Sequence, residues 1–178
     1  MQIKKPEWRN LMYLLTISLP LVVIDQITKS WAVSELMGGS EVVVFDSWWS
    51  FIYVENKGAM WGLGATLPDS ARRLIFLGFS TLVTLAVVYL LLAYAETRFM
   101  KVVYAFIIAG ACGNLFDRYF RGFKVVDFIN WHVGDAYHWP TFNFADAVIV
   151  AAIFLLAYEA LIGEARRRKR TEKGEEAQ

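Results

Sequence analysis

From Leu74 to Ala95 the chain runs without a single charged side chain. A helix rises ~1.5 Å per residue, so this stretch is long enough to cross a hydrocarbon core of ~30 Å. Three more apolar runs accompany it: Leu11 to Ile24, Val102 to Phe116, and Ala147 to Tyr158. Composition agrees with a membrane chain, because only 20% of residues are charged and the mean hydropathy is +0.39. A soluble domain carries about 25% charged residues. The 178 residues suit one domain.

The N-terminus, with Lys4, Lys5 and Arg9 ahead of an apolar run, has the look of a signal peptide. The helical pattern nevertheless continues through Asp25-Gln26-Ile27-Thr28-Lys29 to about Val33, with no small-residue cleavage site. This predicts a retained first span. The expected spans are roughly 11–33, 73–96, 101–120 and 143–163. Residues 1–163 form one membrane domain, and 164–178 a charged, disordered tail.

Basic residues set the orientation. The N-terminus, the Glu96–Lys101 turn and the Arg166–Arg170 run are rich in Lys and Arg and are expected to be cytoplasmic. The Arg run also suits an anchor to anionic lipid, and nucleic acid is not an expected partner. The Glu35–Asp69 segment has Lys57 as its one basic residue, against five acids. Six tryptophans, among them Trp31, Trp48 and Trp139, fall near or beyond the outer ends, as an interfacial belt does. Between the first two spans, Val42–Phe45, Asp46-Ser47 and Trp48–Glu55 read as strand, turn, strand. The fold class expected is therefore an all-α, four-helix transmembrane bundle with a small extracytoplasmic β-hairpin or sheet (roughly 41–64) and a short amphipathic segment.

Polar residues concentrate at one depth. Asp25 and Lys29 share a helix face near the outer end of the first span. Asn114, Asp117 and Arg118 do so on the third, and Asn143 and Asp146 on the fourth. In lipid such faces turn inward, which predicts one polar pocket in the outer leaflet. Asp25 with Lys29, and Asp117 with Arg118, suit structural ion pairs that fix helix packing. Asp146 opens an apolar run that has no other charge until Glu159, and Asp127 is a second acid between apolar neighbours. Two carboxylates brought together share one proton, the state that acid–base hydrolysis needs.

Other chemistries are weaker. His132, Asp135 and His138 lie near Gly134 and Pro140, which favour loop over a metal site. Cys112, the one cysteine, lies in an apolar run, which excludes an intrachain disulfide. Gly58, Gly62 and Gly64 lack the Lys-Ser/Thr ending of a phosphate loop and suit either a flexible loop or a gate over the pocket. The rival reading is a small proton- or cation-coupled transporter subunit, whose weakness is that the inner halves of the spans are apolar. A structural subunit that binds a partner through Trp48-Trp49 is a further alternative.

Five blocks occur in order: Asp25-Gln26-x-x-Lys29, Asn56-x-Gly58-Ala59, Gly113-Asn114-x-x-Asp117-Arg118, Val126-Asp127-Phe128 and Phe142-Asn143-x-Ala145-Asp146. Together they resemble lipoprotein signal peptidase (signal peptidase II) of bacterial inner membranes, over nearly the whole chain. The resemblance implies an aspartic endopeptidase with Asp127 and Asp146 as the catalytic pair, working without cofactor or metal. Its substrates would be diacylglyceryl-modified prolipoproteins, cut before the lipidated cysteine. Asn56, Gly58, Asn114, Arg118 and Asn143 would contact substrate or the inhibitor globomycin, with Asp25, Lys29, Asp117 and Ala145 in support. The protein would be a monomer among membrane lipids, with cytoplasmic termini and an outward-facing site. The sequence Ala59-Met60-Trp61 departs from the small residue and Phe commoner in the family.

Overall fold

The computed structural model describes residues 6–58, 66–134 and 136–175, with side chains to 163. Four helices are long and apolar enough to cross a membrane: α1 (Trp8–Leu36), α2 (Asp69–Ala93), α3 (Arg98–Phe120) and α4, whose spanning part is Phe144–Gly163. The protein is a multi-pass membrane protein. Outward-facing Leu15, Ile27, Leu74, Leu82 and Phe154 are each more than half exposed, a surface suited to lipid and not to water. Among the described residues every helix belongs to one of these four.

Two spans contain a widened turn, at Leu14–Ser18 in α1 and Leu74–Phe79 in α2. In α1 the cause is Pro20, which has no N–H to give and whose ring crowds the preceding turn. The Ser18 hydroxyl in that turn donates to the Ala105 carbonyl of α3 at 2.8 Å. α3 is the central helix and touches the other three. Glycines permit this closeness. A Cβ on Gly110 would lie 2.6 Å from the Ala145 carbonyl of α4, and one on Gly113 would lie 2.5 Å from Asp25 Oδ2.

The sheet lies against the end of the bundle where α1 finishes and α4 begins. Its strands are β1 (Val42–Phe45), β2 (Trp49–Asn56), β3 (Val125–Val133) and β4 (Tyr137–His138), antiparallel in that order. β1 and β2 form the expected hairpin, and β3 and β4 extend it. Ala32 and Leu36 of α1 pack with Val126 and Phe128 of β3, edged by Trp31, Phe51 and Tyr53. A lone hairpin has no such support, whereas four strands on a helix do.

α3 ends at two residues with left-handed backbone, Gly122 (φ 67°) and Phe123 (φ 64°), and the Phe123 N–H closes on the Arg118 carbonyl at 3.2 Å. This reversal sends the chain straight back into β3. The tail corrects an expectation: its backbone continues α4 as helix to Glu175. Extending a formed helix avoids the unfavourable nucleation step, and Glu, Ala, Arg and Lys are good helix formers.

Candidate functional site

Asp146 sits in the first turn of α4, where Asn143 precedes the helix. The two cap each other. Asn143 Oδ1 accepts the Asp146 N–H at 3.1 Å, and Asp146 Oδ2 accepts the Asn143 N–H at 3.2 Å. This is the reciprocal capping arrangement, built with Asn and Asp. It fixes the carboxylate at a helix N-terminus, where the backbone dipoles favour negative charge.

Asp127 arrives from β3 and is 2% exposed. Its Oδ1 accepts from Asn143 Nδ2 at 2.6 Å and its Oδ2 from Asn56 Nδ2 at 2.9 Å. Asn143 therefore bonds both acids at once, by its side chain to one and its backbone to the other. Burial, reinforced by the nearby charge of Asp146, pushes the Asp127 carboxyl up to about 7 from 3.8; the amides of Asn56 and Asn143 and the Lys29 charge pull the other way.

Asn114 of α3 completes the inner wall. Its Nδ2 donates to Asp146 Oδ1 at 2.8 Å, and its Oδ1 accepts from Asn143 Nδ2 at 3.1 Å and from Lys29 Nζ at 3.0 Å. Arg118 lies one turn further along α3. It donates to the Gly58 carbonyl at 3.0 Å, while the Gly58 N–H is held by Asn56 Oδ1 at 2.9 Å. Its charge acts on Asp146, Asp127 and Asp117. The sequence blocks thus meet in one cluster, with Asn56, Gly58, Asn114, Arg118 and Asn143 around Asp127 and Asp146. Of the segment read as a flexible loop or a gate, Gly58 is described, while Gly62 and Gly64 lie outside the described residues.

The supporting residues form a buried layer behind this. Asp25, Lys29 and Asp117 are at most 1% exposed. Lys29 Nζ lies 3.0 Å from Asp25 Oδ2 and 3.2 Å from Asp117 Oδ2, and Asp25 Oδ1 accepts the Ala145 N–H at 3.0 Å. The expected Asp117–Arg118 contact is corrected. Asp117 pairs with Lys29 and with Arg121, whose Nε is 3.2 Å from Oδ1. Residues i and i+1 of a helix point apart, while i and i+4 share a face. Gln26 was legible only as a letter in a motif. Its Nε2 reaches Asp25 Oδ2 at 3.0 Å, and Asp117 Oδ1 and the Gly113 carbonyl at 3.2 Å each.

Two apolar hollows flank the cluster. A cavity of about 410 Å³ beside Asp146 is walled by Trp131, Trp139, Pro140, Phe142, Ala147 and Val150. Another, of about 230 Å³, lies where Phe79 and Val83 face Asn114, Arg118 and Ile149. His132 and His138 stack across the β3–β4 hairpin at 5.3 Å, and Asp135 lies outside the described residues. Among the described residues no group of three or more His, Cys, Asp or Glu side chains is arranged to hold a metal ion.

Comparison with known proteins fits this arrangement. The sequence model for signal peptidase (SPase) II matches residues 17–162. A lipoprotein signal peptidase of Clostridium novyi (strain NT) is 38% identical over 137 residues, covering 76% of this chain and 88% of the relative. One from Dichelobacter nodosus (strain VCS1703A) is 35% identical over 161 residues, covering 90% of this chain and 99% of its own. A bacterial membrane enzyme solved by the in meso method at 2.3 Å superposes with a TM-score of 0.75 and 26% identity, covering 93% of this chain and 96% of the other. The chain belongs to the signal peptidase II family.

Proposed function

We propose that the protein is an intramembrane aspartic endopeptidase that removes signal peptides from diacylglyceryl-modified prolipoproteins, cutting before the lipidated cysteine. The observation that carries this reading is Asn143, which bonds Asp127 Oδ1 at 2.6 Å and Asp146 Oδ2 at 3.2 Å and so holds a buried and a half-buried acid at one site.

The surroundings of the two acids differ. Asp146 lies at a helix N-terminus and accepts hydrogen bonds from Asn114 and Asn143. Asp127 is buried in the sheet beside the charge of Asp146, and its raised proton affinity makes it the holder of the shared proton. Asp146 then takes a proton from water as the water attacks the scissile carbonyl. Asp127 donates to the carbonyl oxygen; as the resulting diol collapses the C–N bond breaks, the proton taken up by Asp146 goes to the leaving amine, and a diol hydroxyl returns a proton to Asp127. Arg118 and Asn56 tie the start of the loop after β2 to this pair.

The site's position suits a lipid-bearing substrate. Aspartates at the sheet end of the bundle, in an outer leaflet with the termini cytoplasmic, meet a cysteine whose acyl chains stay in the bilayer. The apolar cavity beside Asp146 offers those chains a wall. The charge asymmetry of the loops supports this orientation, and with it a bacterial inner-membrane location. Membrane lipids, globomycin as inhibitor and a monomeric state belong to the same reading, with 1–163 as the membrane domain and 164–178 as a cytoplasmic tail. A transport path is disfavoured, because the buried hydroxyls deeper in the bundle, Ser18 and Thr84, are spent on helix carbonyls.

Cleavage of a diacylglyceryl prolipoprotein by purified protein tests the proposal. Asp127→Asn and Asp146→Asn are each expected to lose on the order of 10³-fold in kcat while remaining folded. Full activity in either folded variant overturns it.

A further inference from the structure

Behind the two aspartates sits a lysine with no exposure at all. Lys29 is 0% exposed, and an ammonium has three N–H donors and no acceptor. Those donors meet three acceptors: Asp25 Oδ2 at 3.0 Å, Asn114 Oδ1 at 3.0 Å and Asp117 Oδ2 at 3.2 Å. A buried charge with two acids nearby is readily explained as a packing device. What its partners do next points further.

Each partner passes directly to a residue at or beside Asp127 or Asp146. Asp25 Oδ1 holds the N–H of Ala145, the neighbour of Asp146, at 3.0 Å. Asp117 Oδ2 holds the N–H of Val126, the neighbour of Asp127, at 3.0 Å. Asn114 bonds Asp146 itself at 2.8 Å and Asn143, the residue shared by both acids, at 3.1 Å. The Asn114 link is also directional. Lys29 can only donate, so it forces the amide oxygen of Asn114 toward itself and the amide N–H₂ toward Asp146. Asn143 Nδ2 gives the same oxygen a second, uncharged donor, so an uncharged side chain at 29 removes the charged half of that instruction.

We propose that Lys29 is a positioning residue for both aspartates, one ammonium that aligns the start of α4 through Asp25, the Asp146 carboxylate through Asn114, and β3 through Asp117. The proposal rests on reading Asp127 and Asp146 as the catalytic pair. The charged groups around that pair come from two elements: Lys29 and Asp25 on α1, and Asp117, Arg118 and Arg121 on α3. Among these, Lys29 opposes the rise in Asp127 proton affinity, so its loss has a signature that a packing defect lacks.

The test uses the full-length protein in detergent. It compares wild type with Lys29→Met, and with the double variant Asp25→Asn/Lys29→Met, which removes the ammonium together with one of its counter-charges. Folding is followed by thermal unfolding. In the folded variants kcat is expected to fall about 100-fold with KM within about threefold, the pattern of a misplaced reacting group. Lys29→Met and Asn114→Ala combined are expected to lose less than the product of their separate losses, because the two share a path to Asp146. In Lys29→Met the ¹³C-carboxyl NMR titration of Asp127 moves to higher pH, along with the basic limb of the kcat/KM profile. Three results overturn the proposal: kcat retained in a folded variant, kcat lost with the Asp127 titration unmoved, or neither variant folding, which makes Lys29 a folding residue. Asp127→Asn and Asp146→Asn, assayed alongside, report on the dyad separately. Full activity there sinks the dyad, while the titration still tells whether Lys29 acts on Asp127.

Discussion

Asn143 Nδ2 lies 2.6 Å from Asp127 Oδ1, while the same residue caps α4 by accepting the Asp146 N–H at 3.1 Å. One residue thus serves the helix end and both acids, Asp127 by its side chain and the Asp146 carboxylate by its backbone N–H. Asn143→Ala is expected to lose about 1 kcal/mol of stability as a lost cap. Its loss in kcat is larger, on the order of 100-fold, because Asp127 also loses its shorter hydrogen bond. Thermal unfolding and single-turnover cleavage separate the two effects; equal losses for a cap variant remote from the site count against a special role.

The pH dependence follows from Asp127. Its folded value of about 7 lies above its ordinary 3.8. Between those values the folded state holds a proton that the unfolded chain releases. The associated stability is fully present below 3.8 and is lost as pH rises to about 7. Asp127→Asn is expected to flatten this slope in detergent unfolding curves. In wild type the basic limb of kcat/KM falls near 7 as the shared proton leaves, and titrating product formation at low substrate across that range checks it.

Glycine substitutions in α3 separate crowding from helix propensity. Gly110→Ala places a Cβ 2.6 Å from the Ala145 carbonyl, and Gly113→Ala 2.5 Å from Asp25 Oδ2. Each is expected to cost about 1–3 kcal/mol as overpacking. Gly113→Ala also lowers activity, because Asp25 holds the start of α4. In α2, Gly78→Ala meets only the flexible Leu74 side chain at 3.8 Å and is expected to stabilise by up to about 1 kcal/mol. Comparative melting of the three variants decides the matter.

Hydropathy made the spans legible, because a run such as Leu74–Ala95 has no other way to be solvated. β3 was hidden. Val125-Val126-Asp127-Phe128 is buried on both faces, so it lacks the alternation that marks a half-buried strand, and a central Asp is a poor strand former. The meeting of Asp127 with Asp146 depends on that strand pairing with β2 at Val54 and bridging to Phe142 at Ile129, tertiary facts that spacing does not encode. Adjacency misled in one place: Asp117 and Arg118 are neighbours in sequence, yet Asp117 pairs with Arg121.

The cavity beside Asp146 offers a final discrimination, between recognition of the peptide and recognition of its lipid. Its walls are aromatic and aliphatic, with Trp131, Trp139 and Phe142 facing Ala147 and Val150. A void of about 410 Å³ has room for a chain of methylenes and little polar surface to bind anything else. Val150→Trp narrows it from the α4 side and leaves Asn143 and both aspartates in place as residues. If acyl chains lie there, KM for a long-chain diacylglyceryl substrate rises about tenfold while kcat holds, the mark of lost uniform binding. A short-chain analogue feels the change less, since each methylene left unburied forfeits only about 0.8 kcal/mol. Equal effects on both substrates assign the cavity to the peptide, and no effect on either leaves it outside substrate binding.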